Sequence, residues 1–175
     1  MKTPAVMVGL LLSTFASVGC ATYQFGSASM FRPGIRTVHV PVVRNDTFRH
    51  DLGVRLSEAL VREIERRTPY KVTGDPNADS TLSCRVVNES KRVLTETTTD
   101  DPRALDAEIA VQATWTSRGG ELLMQNSVVP GELLAIDFGQ AARFVPEAGQ
   151  SIDSATQAAI EDLADRIVSQ MEMRW

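Results

Sequence analysis

Few residues in this chain could do chemistry: two cysteines, two histidines and a few adjacent carboxylates. Cys20 closes an apolar run that begins after Lys2, spans Ala5 to Val18 and ends on the small residues Ser17, Val18 and Gly19. That is the layout of an export segment cut just before a cysteine whose sulfur and amino group receive acyl chains such as palmitate. The run is too short for a transmembrane helix. Each buried acyl methylene contributes about 0.8 kcal/mol, so two or more chains hold a domain stably on a bilayer. Ser17 stands where such boxes prefer leucine, and the alternative is ordinary secretion with a free Cys20 thiol. Ala21 follows the cysteine where an aspartate would mark inner-membrane retention, which favours the outer membrane.

The remaining groups do not converge. His39 and His50 have no Glu-x-x-His or Cys-x-x-Cys companion, so neither a metal nor a cofactor is expected. Cys84 sits in the alternating run Thr81 to Val87 and reads as a small buried hydrophobe. Asp100-Asp101 and Glu161-Asp162 are sequence neighbours, and on a helix adjacent side chains diverge by about 100°, which builds no acid/base pair. There is no nucleophile elbow, phosphate-cradling glycine loop or dinucleotide fingerprint. A catalytic function is therefore not expected. The positive groups offer a sharper possibility: Arg62, Arg66 and Arg67, with Lys71 or the Lys91-Arg92 pair, could form a local patch for a phosphate-bearing glycolipid, since the guanidinium fork suits phosphate. The competing reading is an ordinary solvated helix face.

The bulk numbers bound what remains. Removing residues 1–19 as a signal peptide leaves 156 of 175 residues, with 17 basic groups against 22 acidic. The resulting charge of −5 provides no field for nucleic acid. The expected organisation is a lipidated start and tether over 20–33 and one domain over 34–175, a size suited to a single core.

The elements that must position these groups follow from periodicity. Val38, Val40 and Val42 alternate with polar residues in a strand that Pro41 should place at an edge or end. Leu52, Leu56, Leu60 and Ile64 form one stripe of a helix from Asp51, its expected cap, to Arg67 before Pro69. Tyr70–Thr73 reads as a short strand and 74–77 as a turn. Leu82, Cys84 and Val86 share one strand face, continuing towards Thr97, and Thr95–Pro102 reads as a loop. Ala107 to Trp115 alternate, and Gly119-Gly120 should reverse the chain into a paired run, Glu121–Val129. Residues 130–150 are expected as an irregular crossover, and Ser151 should cap a last helix reaching Met173. The sum is an α+β domain, two amphipathic helices packed on one face of a mostly antiparallel sheet of four to five strands.

Several of these segments resemble one family. Phe31 to Pro41, Asn45-Asp46-Thr47-Phe48, Leu56 to Ile64 and Arg67 to Val72 are similar to the N-terminal half of the LptE lipopolysaccharide-assembly lipoproteins. Ala78 to Leu82 resembles the family's next strand, and Leu163 to Val168 its closing helix. The resemblance implies an outer-membrane lipoprotein, acylated at Cys20, whose domain lies in the periplasm or in the lumen of an LptD-type β-barrel. There it would plug the pore, assist barrel assembly and contact lipopolysaccharide. The opening strand, Asn-x-Thr turn and helix are also similar to the penicillin-binding-protein activators and curli-export lipoproteins, which implies an envelope interaction module as the alternative.

Overall fold

The computed structural model describes residues 30–96, 102–124 and 136–173. Six strands and two helices follow in order: β1 (Thr37–His39), β2 (Arg44–Asn45), α1 (Leu52–Arg67), β3 (Lys71–Thr73), β4 (Ser80–Glu96), β5 (Pro102–Ser117), β6 (Ile136–Phe144) and α2 (Ile152–Ser169). The sheet order is β3-β1-β4-β5-β6, with β2 also pairing β4. The class is α+β, as the patterning requires, but the sheet is mixed. β1 runs parallel to β3 and β4, and β2 runs parallel to β4, whereas β4, β5 and β6 are antiparallel. Parallel neighbours need a crossover, and α1 supplies it between β2 and β3.

Of the two places expected for Pro41, a sheet edge or a strand end, the second holds. β1 lies between β3 and β4, and it stops before Pro41. The chain resumes as β2 further along the same side of β4, so the two short strands are halves of one interrupted strand. The interruption shifts the phase: Val38 and Val43 are buried while Val42 is exposed. Proline has no N–H for the ladder, and the break puts the Val43 N–H instead on the Ser57 hydroxyl of α1 at 2.9 Å.

Helix α1 buries the stripe Leu52, Leu56, Leu60 and Ile64, together with Gly53 and Ala59. Asp51 occupies the cap position but makes no capping bond; its carboxylate takes the Arg55 guanidinium at 3.0 Å instead. At the other end the Thr68 hydroxyl and N–H both donate to the Ile64 carbonyl before Pro69. Helix α2 is capped as expected, with Ser151 and Ser154 each satisfying the other's backbone, and it ends at Ser169, short of Met173. The helices lie side by side in the same direction. Arg55 near the start of α1 donates to Gln157 near the start of α2, and Arg67 at its end reaches Asp165 and Ser169.

Both helices cover one sheet face, and the core lies between. Leu82, Cys84 and Val86 of β4 meet Ile109, Val111, Ala113 and Trp115 of β5 beneath Leu60, Ile64, Leu163 and Ile167. Tyr70 joins the core to the start of the chain: its hydroxyl accepts the Arg32 N–H at 3.0 Å, and its ring meets Phe31 edge-on at 5.6 Å.

Two further expectations are corrected. Residues 136–144, expected within an irregular crossover, form β6 along β5, with Ile136, Phe138 and Phe144 facing the helices. The turn at Gly119-Gly120 does reverse the chain, with Gly120 at φ 84°, but its returning run pairs with β5 only around Leu122. Residues 125–129 of that run lie outside the described residues. Of the expected loop, Thr95 and Glu96 belong to β4 and Pro102 to β5, and residues 97–101 lie outside the described residues.

Candidate functional site

Among the described residues, no group of three or more His, Cys, Asp or Glu side chains is placed to hold a metal. Cys84 is buried on the core face of β4, and burial pushes its thiol up to about 12, which keeps it protonated and unreactive near neutrality. His39 Nδ1 lies 3.1 Å from the Thr73 carbonyl, a contact that ties β1 to β3.

The predicted basic residues fall into separate places. Arg62, Arg66 and Arg67 lie on the second half of α1, beside a groove of about 490 Å³ shared with α2. The opposite wall of that groove carries Glu161, Asp162 and Asp165. Arg66 forks onto Glu63, Nη2 donating to Oε1 at 2.7 Å and Nε to Oε2 at 3.1 Å, and that carboxylate holds the guanidinium above its ordinary value. Arg67 is committed more heavily: it reaches Asp165, Glu172 at 3.0 Å and the Ser169 hydroxyl at 3.1 Å, locking the helix ends together. Arg62 lines the groove without a carboxylate in ion-pair range among the described residues. Lys91 and Arg92 are remote from this cluster. They sit on the outer half of β4, opposite Ala107 and Asp106 of β5, and Arg92 pairs with Glu108 at 3.2 Å. The fold thus gathers the three helix arginines and keeps Lys91 and Arg92 apart from them. Cys20 lies outside the described residues, as do Asp100 and Asp101.

The broader surface is the sheet face that carries no helix. Alternation fixes its composition: Thr81, Ser83 and Arg85 from β4, Glu108, Gln112 and Thr116 from β5, and Asp137 and Arg143 from β6 all stand opposite in phase to the core positions. It presents hydroxyls, an amide and charges of both signs, with small residues such as Ala110 and Ala141 between them. Sequence reasoning missed its β6 portion, although Ile136, Phe138 and Phe144 alternate with polar neighbours, because Gly139 and two alanines weaken the strand signal.

A second cleft, also of about 490 Å³, opens where the chain enters the domain, between Arg32, Ile35, Asp79, Arg118, Leu123 and Met173. Asp79 organises it. One carboxylate oxygen accepts the N–H groups of Arg36 and Thr37 and the Thr37 hydroxyl, each at 3.0 Å, and these bonds hold the carboxyl below the usual range. Arg118 donates to the Ala78 carbonyl at 3.1 Å, which fixes the hairpin turn against the start of β4.

Among solved structures, PelC from Paraburkholderia phytofirmans, a dodecamer, aligns over 86% of this chain and 96% of its own at 14% identity and a TM-score of 0.50. The hypothetical protein CT253 from Chlamydia trachomatis aligns over 78% and 95% at 9% identity and a TM-score of 0.52. Rare lipoprotein B from Shewanella oneidensis aligns over 78% and 93% at 14% identity and a TM-score of 0.48. At these identities the first two establish a shared fold alone. No curated protein matches the sequence significantly. A family model described as lipopolysaccharide-assembly, LptE, matches residues 35–174 and so covers both helices and every strand. The chain belongs to the LptE lipopolysaccharide-assembly family.

Proposed function

We propose that this protein is a non-catalytic outer-membrane lipoprotein, acylated at Cys20 after removal of residues 1–19. Residues 20–33 tether a domain formed by 34–175, which seats in the lumen of an LptD-type β-barrel. There it plugs the pore, assists barrel assembly and contacts lipopolysaccharide on its way to the cell surface. The observation that carries this reading is the family match across residues 35–174. The helix-free sheet face supports it physically, because a barrel lumen is lined by polar side chains and water, which hydroxyls, amides and mixed charges can meet without desolvating apolar surface. Arg62 is the helix arginine best placed to take a phosphate, since Arg66 and Arg67 are already engaged by carboxylates. Lys91 and Arg92 form a second candidate contact further along the sheet.

Mild-detergent pull-down of the tagged full chain from intact envelopes tests the assignment. A large barrel protein should co-purify, and depletion should stall lipopolysaccharide below the surface. Recovery of a cell-wall synthase or an export pore instead would move the assignment to the activator or curli-export type of module. The Cys20→Ser variant should lose acyl labelling and membrane partition, and continued labelling would refute the anchor.

A further inference from the structure

Six large apolar side chains stand in solvent among the described residues. Val42, Phe48 and Val54 flank β2 and the first turn of α1, while Val87, Val93 and Leu94 lie on β4. The two groups are joined directly. The Asp46 N–H donates to the Val86 carbonyl at 3.0 Å, Asp46 pairs with Arg85 at 3.4 Å, and Arg49 pairs with Glu89 at 3.4 Å. Phe48, 102% exposed, is held on a braced loop: Asn45 Oδ1 accepts the Thr47 N–H at 3.0 Å and its hydroxyl at 2.7 Å, and the Asn45 amide donates to the Arg49 carbonyl. A fully exposed aromatic ring on a fixed support is suited to anchoring in a pocket.

Beside this loop the sheet has an open edge. Strand β4 is accompanied on both sides as far as Val86, where β2 ends, and its side chains alternate buried and exposed up to that point. From Asn88 to Glu96 only β5 accompanies it among the described residues, and the alternation gives way to exposure on both faces. Among the described residues no strand pairs with the main-chain donors and acceptors on the other side of this half-strand, which can take an added strand.

We propose that this edge, Asn88 to Glu96, receives an extended segment of a partner protein as an added strand, with Phe48 seated in an apolar pocket next to it. Chemistry selects the occupant. A lipid surface is a poor match, because hydrocarbon cannot satisfy the N–H and C=O groups of an open edge. A second copy of the chain paired at the same edge is a separate outcome, which the test below detects. Lys91 on this edge has no carboxylate in ion-pair range among the described residues, so the incoming segment sets an acidic side chain opposite it among apolar ones. For the partner's identity alone the inference rests on the barrel reading above. A closed barrel wall has no free edge, so the segment would be a loop or tail of the partner outside the wall.

The test places the photocrosslinker p-benzoylphenylalanine at Phe48 or Val93 of the full chain in intact cells, with Gln112 on the helix-free face as reference, and follows amide exchange in the purified complex. Adducts at Phe48 and Val93 should map to an extended, acid-bearing segment of one partner, and amides within 88–96 should exchange at least tenfold more slowly in the complex than in the free protein. Lys91→Glu should lower adduct yield at least fivefold. Absence of adducts at both positions, adducts only with lipid or a second copy, or unchanged exchange within 88–96 in an intact complex overturns the proposal. The two readings fail separately: a bound barrel with unprotected amides sinks this inference alone, whereas protection by a segment of a different protein sustains it and sinks the barrel assignment.

Discussion

Arg62 and Arg67 occupy the same helix within two turns, yet replacing each by alanine should have opposite consequences. Arg67 is about one quarter exposed and faces three carboxylates, Glu63 at 3.7 Å, Glu172 at 3.0 Å and Asp165 in closer contact still. Exposed pairs contribute about 0.2–1 kcal/mol each, and removing the shared cation also leaves three negative groups facing one another. Arg67→Ala should therefore cost about 1–2 kcal/mol, or about 2–8 °C in Tm for a chain of this size. Arg62 has no such partner among the described residues, and Arg62→Ala should stay within about 0.5 kcal/mol of the wild type. Urea denaturation at low salt measures the difference. In 1 M NaCl, where the screening length is about 3 Å, the gap between the variants should narrow. Binding to lipopolysaccharide micelles should rank them the other way once stability is matched. Loss of one cation from an anionic surface is worth about 1 kcal/mol, so Arg62→Ala should bind about fivefold more weakly. Equal stability losses for the two variants would refute the argument that Arg67 is structural and Arg62 free to bind.

Three further outcomes follow from local geometry. Gly53→Ala should destabilise by about 1–3 kcal/mol, although alanine normally favours a helix, because its Cβ would lie 2.5 Å from the Val43 carbonyl oxygen; thermal melting gives the sign directly. Thr156→Val should stabilise by about 1 kcal/mol in urea titrations, since its buried hydroxyl has no hydrogen-bond partner among the described residues and a methyl fills the same space. Asp79 is held below its ordinary value by the Arg36 N–H, the Thr37 hydroxyl and the Thr37 N–H, so its contribution is complete above about pH 4, where the unfolded carboxyl is ionised, and is lost as pH falls through the lowered folded value. The stability gap between wild type and Asp79→Asn should accordingly shrink on acidification, and parallel pH profiles would contradict that sign.

Much of the fold was legible because it rests on local periodicity. The leucine stripe of α1, the Ser151 cap of α2 and the alternation in β4 and β5 each follow from side chains that must share one face, and a two-layer α+β packing is what such elements can bury. Strand direction was less legible: nothing in a run of three alternating residues says whether its neighbour is parallel, and β1 and β3 are three residues each. The residues 136–144 went unread as a strand because their apolar positions include alanine and are spaced by glycine. Asp51 illustrates competition, since the carboxylate that could cap α1 finds the Arg55 guanidinium instead.

By itself, then, the order of residues determined the two helices, the strands with clear alternation and their apolar faces, and that no recurrent catalytic motif is present. Only the tertiary structure decided which charges remain available. Arg62, Arg66 and Arg67 look alike along a helix. Their difference arises from Asp165 and Glu172, about a hundred positions later, brought beside Arg67 by the side-by-side packing of α1 and α2. The open edge of β4 has the same origin, because whether a strand has a neighbour depends on where the rest of the chain was placed and on no property of the strand's own residues.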